Sequence, residues 1–185
     1  MNTTDVRSTT RTSLARGAVY GAGAGVIASV AMGMYAMPAS YLKDTGFFTP
    51  LHHIATLFAE PTAMMESMEA AQMEGDAFVI TAGVALLGLL IHMMTGAMYG
   101  ALFGLAVAKL KLGVGMLAGI GLLYGALVFV ISAFIGLPLA AAIFDAGDPI
   151  ADMAELAGWW TFLIEHLLFG VVTAVLVAGA LRKRA

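Results

Sequence analysis

The chain has no cysteine, which removes disulfides and thiolate metal sites from consideration. Charge is scarce as well: 9 Lys and Arg and 12 Asp and Glu make up 11% of 185 residues, against about 25% in an ordinary soluble domain. No G-x-x-x-x-G-K-[ST] phosphate loop, H-E-x-x-H pair, nucleophile elbow or dinucleotide fingerprint occurs. Ser40 and Ser132 have no evident triad company, and the acidic 145–155 stretch lacks the spacing of a calcium loop. The basic residues are too few for a nucleic-acid partner. The common enzyme classes thus lose their usual signatures.

Apolar residues are what the chain has in excess. They make up 61% of it, and the mean hydropathy is +0.92, so its surface needs lipid as a solvent. Four segments, roughly 15–37, 78–108, 113–143 and 158–181, meet the requirement of about 20 mostly apolar residues for a spanning helix. The first has arginines ahead of it and small residues near Ala39, as a signal peptide would. Its length and the lack of a following A-x-A site make it read as a retained helix. The sequence therefore predicts an all-α integral membrane protein, a four-helix transmembrane bundle over 13–181. A mobile Ser/Thr/Arg-rich tail over 1–12 and a basic tail over 182–185 flank it.

The charges divide by location. Arg7, Arg11, Arg16, Lys109, Lys111, Arg182, Lys183 and Arg184 all fall on one side of the four spans, leaving Lys43 alone on the other. The carboxylates gather in the opposite loops, 39–76 and 144–157, except Asp5 and Glu165. Lys and Arg mark cytoplasmic loops, so both termini are expected in the cytoplasm, in a bacterial-type inner membrane, with two acidic loops outside. The long outer loop, 39–76, carries helix signals of its own. "TPLHHIATLFAE" places Thr49 as a cap before Pro50, and "EPTAMMESMEAAQMEGD" runs from Pro61 to a Gly75 stop. Leu51, Ile54, Leu57 and Phe58 give the first an apolar face suited to the membrane surface. Trp159 and Trp160 stand where an interfacial aromatic belt belongs.

Small residues recur every fourth position within the spans. Gly17, Gly21, Gly25, Ser29 and Gly33 form one row; Gly88, Gly96, Gly100 and Gly104 another; Gly121 with Gly125, and Gly170 with Ala174 and Ala178, the rest. In lipid, helices associate by close packing, and such rows let backbones approach. They predict a compact bundle, or one that also joins a homo-oligomer or a larger membrane complex. The halves also resemble each other. G-x-x-Y-G opens spans one and three, at Gly17 and Gly121, and a histidine followed four residues later by glycine marks spans two and four. This suggests a two-plus-two internal repeat.

Those histidines, His92 and His166, lie about 25 Å of helix from Lys109 and Arg182, so they share one depth in the outer part of the bilayer. Three roles compete: a packing residue bonded across the bundle, a ligand pair for haem or a metal, or a proton- or substrate-contacting pair in a pathway. Glu165 adjoins His166, about 100° around the helix. In the outer loop His52 and His53 lie near Met64 and Met68, among 13 methionines. Thioether and imidazole are ligands that suit copper(I), while methionine also serves as plain apolar filler.

The segments "IHMMTGAMYGALFGLA", "GLLYGALVFVISAFIGLPLAAAIF" and "IEHLLFGVVTAVLVAG" resemble small bacterial four-span inner-membrane proteins of the YagU-like and related families. The resemblance covers roughly residues 80–180 and implies an integral membrane fold, with no chemistry to carry over. The leading expectation is a non-enzymatic accessory or scaffold subunit associating through its glycine-rich faces. A haem- or copper-binding protein and a small oligomeric transporter or channel stand as alternatives.

Overall fold

A computed structural model describes residues 3–110 and 112–182, with side chains described over 14–110 and 112–181. The described residues are helical and contain no strand. Helix α1 runs Thr3–Tyr41, α2 Thr49–Ala55 and α3 Thr62–Glu69, the last passing into a π turn at Ala70–Glu74. Helix α4 covers Ala82–Val107 and α5 Val114–Ile131. A π turn at Ser132–Gly136 carries α5 into α6, Leu137–Phe144. Two short helices, α7 Gly147–Ala151 and α8 Met153–Ala157, lead to α9, Trp159–Arg182. Leu14–Tyr41, Ala82–Val107, Val114–Phe144 and Trp159–Leu181 are each long and apolar enough to cross a bilayer. This is the four-span helical bundle that the composition demands.

Residues expected as a tail over 1–12 are helical from Thr3. Extending a helix that is already nucleated gains one hydrogen bond for each residue fixed. The basic tail lies outside the described residues beyond Arg182.

Two antiparallel pairs, α1 with α4 and α5 with α9, make up the bundle, and α1 joins them by packing on α9. Small residues explain both pairs. A Cβ added to Gly21 would lie 2.9 Å from the Gly100 carbonyl carbon, and one on Gly25 would lie 2.8 Å from that of Gly96. Gly17 approaches Gly104 in the same way. In the second pair Gly121 meets Gly170, and Gly125 meets the backbone of His166. The two-plus-two organisation is therefore built from glycine contacts, but in a different register from the one the sequence motifs suggest. If His92 and His166 are equivalent, Gly25 and not Gly17 takes the place of Gly121. The G-x-x-Y-G openings sit at different heights along their partner helices.

Two members of the glycine rows do other work. Gly88 faces the Leu51 backbone, with its Cβ position 2.9 Å from that carbonyl carbon, so it docks α2 and not α1. Gly33 has nothing within 4 Å of its Cβ position. There α1 has left its partner.

One end of the bundle brings together α1 from Gly17, the end of α4 and the last turns of α9, closed by a core of Ala24, Phe103, Val107, Leu117, Val177 and Ala178. The other end is roofed by α2, α3, α7 and α8. Thr49 does not cap α2; its hydroxyl donates to the Thr45 carbonyl and bonds Ser67 Oγ of α3 at 2.8 Å. Gly75, at φ +73°, ends the second loop helix as its sequence position implies. Helix α2 and the turn that follows it place Leu51, Ile54 and Leu57 on a cavity beneath them. Phe58 stays exposed, with its ring against Phe144. Trp159 stacks on Phe134, centroids 5.5 Å apart, and Trp160 is 78% exposed, as an aromatic belt requires.

Candidate functional site

Backbone-to-backbone contact between α1 and α4 stops at Ser29. Its hydroxyl donates to Gly25 O at 2.9 Å and to His92 O at 3.3 Å, the last tie of the ladder. Beyond it α1 presents Met32, Gly33, Ala36, Met37 and Ser40, while α4 is drawn to α2 at Gly88. In the other pair the contact stops at Gly125, and the π turn at Ser132–Gly136 widens the helix. Both pairs thus separate in the roofed half of the bundle. They leave a cavity of about 530 Å³ bordered by all four spans, with α2, α3 and α8 above it. Tyr99 and Ser132 line its lower end, Ser132 donating to the Tyr99 hydroxyl at 3.5 Å. Behind them Tyr124 donates to the Tyr99 carbonyl at 2.6 Å and packs on Phe103.

Both spanning histidines line this one cavity, which the shared depth in the sequence anticipates. They lie close enough to feel each other's charge, yet no hydrogen bond joins them. Each is held by backbone instead. His92 Nε2–H donates to Ser29 O at 3.0 Å, linking α4 to α1. His166 Nδ1–H donates to Phe162 O at 2.7 Å, one turn back in its own helix, and its ring lies against Phe162 and Phe129. Metal-binding histidines usually fix one ring nitrogen on a carbonyl and offer the other. His166 is posed that way through Nε2. His92 holds Ser29 with Nε2 and so offers Nδ1 instead, the opposite ring nitrogen from His166.

The loop residues proposed for metal separate in the same manner. His53, Met64 and Met68 line the cavity, but His52 does not. His52 is fully buried in the roof, where its Nε2 accepts the Thr81 N–H at 3.1 Å and its Nδ1 has no hydrogen-bond partner. Burial pushes its pKa below the ordinary value of 6.5, partly offset by the Ala63 backbone and Glu66. His53 Nε2–H donates to Pro149 O at 2.6 Å, tying α2 to α7, and burial lowers its pKa as well. Among the described residues, no three His, Asp or Glu side chains gather as a metal site would need.

Two charged groups complete the cavity. Glu165, 9% exposed, lines it beside His166, and no hydrogen bond or ion pair reaches its carboxyl among the described residues. Lys43 stands at the roofed edge, donating to Ala157 O at 2.6 Å and to Thr161 Oγ1. It is near enough to act on Glu165 through its charge without pairing with it. The sequence set Glu165 and Lys43 apart from the other charges but gave Lys43, Tyr99 and Phe162 no part in the site. The available signals were that Lys43 is the lone basic residue on the acidic side and Glu165 the lone carboxyl within a span. No family model, no characterised protein and no solved structure matches the chain. The geometry of this cavity therefore carries the functional reading.

Proposed function

We propose that the chain is a membrane-embedded binding protein for a small, largely apolar molecule held in the roofed half of the bundle. The supporting observation is a single cavity of about 530 Å³ to which every span contributes, within the range of about 300–1,000 Å³ typical of small-molecule sites. Methionines from four elements line it: Met32 and Met37 of α1, Met64, Met65 and Met68 of α3, Met98 of α4 and Met153 of α8. Flexible thioethers adapt to varied apolar shapes. The glycine rows, by contrast, are largely consumed inside the chain, which weakens the case for an accessory subunit that recruits partners through them. With the basic end in the cytoplasm of a bacterial-type inner membrane, as the positive-inside rule favours, the cavity lies in the outer half of the bilayer. A carrier role would use the same cavity and is the second reading, since Thr95 and Met98 of α4, both exposed, border it on the lipid side.

Gly33 supplies the test. It borders the cavity and has open space where a side chain would go, so Gly33→Phe fills the cavity without forcing helices apart. In lipid nanodiscs, a neutral solvatochromic dye is expected to bind the unaltered chain saturably and to lose that binding in Gly33→Phe, with thermal stability preserved. Equal dye binding by the two proteins, or none above empty nanodiscs, refutes the reading.

A further inference from the structure

Building on the cavity reading, we infer that the ligand is a hydrophobic amine, bound as a cation with its ammonium group at Glu165. The inference rests on counting hydrogen-bonding capacity inside the cavity. In a neutral imidazole one nitrogen donates and the other accepts. His53, His92 and His166 direct their N–H groups to the carbonyls of Pro149, Ser29 and Phe162. What each ring retains is a lone pair. Ser40 likewise donates to the Gly46 carbonyl at 2.7 Å. Lys43, at the roofed edge, spends two of its three N–H donors on Ala157 and Thr161. Apart from its third N–H and the Tyr99 hydroxyl, the capacity left over is that of acceptors, chiefly the Glu165 carboxyl and the free nitrogen of His166 one residue along, joined by the thioether sulfurs.

A ligand that complements such a site brings donors and positive charge. A carboxylate, phosphate or sulfate would find few free donors and would face Glu165 directly. Tyr99, Phe162 and Phe169 also line the cavity, and aromatic faces attract an ammonium while rejecting an anion. The apolar remainder of the ligand would lie among Met32, Met37, Met64 and Met68. Glu165 is enclosed and unpartnered, the state in which a buried carboxyl gains most from an incoming cation.

The experiment uses three probes that differ in one group: a naphthyl-alkyl amine, the matching alcohol and the matching carboxylic acid. Their binding to the full chain in neutral-lipid nanodiscs is followed by naphthyl fluorescence, with empty nanodiscs and Gly33→Phe as references. The amine is expected to bind at least tenfold more tightly than the alcohol, and the acid weakest. Glu165→Gln should remove that preference, and Glu165→Asp should restore most of it. An unfolding temperature equal to the parent's shows that the Gln variant has kept its fold. If amine and alcohol bind alike, if Glu165→Gln keeps the preference, or if the acid binds best in a manner abolished by Lys43→Met, the amine assignment is wrong and the cavity reading stands. If no probe exceeds the empty nanodiscs, both fall.

Discussion

Gly25→Ala and Gly33→Ala place the same methyl group on the same helix two turns apart, and the structure assigns them opposite effects. At Gly25 the new Cβ would stand 2.8 Å from the Gly96 carbonyl carbon and 3.0 Å from Gly100 Cα, both backbone atoms that no rotamer change can move. Carbon atoms meet comfortably at about 3.5–4.0 Å, so α1 and α4 must part locally by close to 1 Å. The same separation would strain the Ser29 bonds to His92 one turn on. Overpacking of this kind costs about 1–3 kcal/mol, and the better helix propensity of alanine returns at most about 1 kcal/mol. A net loss of roughly 1–2 kcal/mol follows. At Gly33 nothing lies within 4 Å of the Cβ position, so the propensity gain of up to about 1 kcal/mol stands unopposed. The check is unfolding of both variants and the parent in one mild detergent, followed by far-ultraviolet circular dichroism. Gly25→Ala should unfold first and Gly33→Ala last. If Gly25→Ala proves as stable as Gly33→Ala, α1 and α4 do not touch through that row and the packing scheme is wrong.

The roof should respond to acid. His52 and His53 both have pKa values lowered by burial from an ordinary 6.5, so an undocked roof takes up protons that the docked one resists. Docking is then at full strength above pH 6.5 and weakens as pH falls below it. Hydrogen exchange over 49–57, corrected for intrinsic rates, should be faster at about pH 5 than at about pH 7.5; equal protection would contradict this. Tyr124→Phe removes the bond to the Tyr99 carbonyl, behind the cavity wall, and should cost about 0.6 kcal/mol, with an upper bound near 1.7. A larger loss would mean that the hydroxyl holds more than this one contact. Lys43→Met removes an exposed cation that acts on Glu165 from beyond pairing distance. It should leave the unfolding temperature nearly unchanged and tighten binding of the amine probe; weaker amine binding would place Lys43 on the ligand.

The four spans and their packing into a bundle were legible because they follow from composition and period alone. Twenty-odd apolar residues admit few alternatives in lipid, and rows of glycine four apart identify their own contact faces. The site was legible only in part. Depth along a straight helix can be calculated, so His92 and His166 could be placed at one level, and they border one cavity. The roof could not be anticipated, because an amphipathic loop helix satisfies its apolar face equally well against lipid or against a cavity. Leu51, Ile54 and Leu57 chose the cavity because Gly88 gives α2 a flat place to land.

The same rows also explain why there is a cavity at all. Glycine contacts hold α1 against α4 up to Gly25 and α5 against α9 up to Gly125, and neither row continues into the roofed half on the same partner. Past those points α1 still offers Gly33, but its counterpart on α4, Gly88, is taken by α2, while α5 carries Val128 after Gly125. The pairs must diverge, and the polar groups stranded at that depth, Glu165 and His166 among them, are left facing space. A protein that needed its bundle only for stability could have kept Gly88 against Gly33 and carried the second ladder on past Gly125. Ending both at one level costs packing contacts in two helix pairs together, and what it gains is a chamber with an unpartnered carboxyl in its wall.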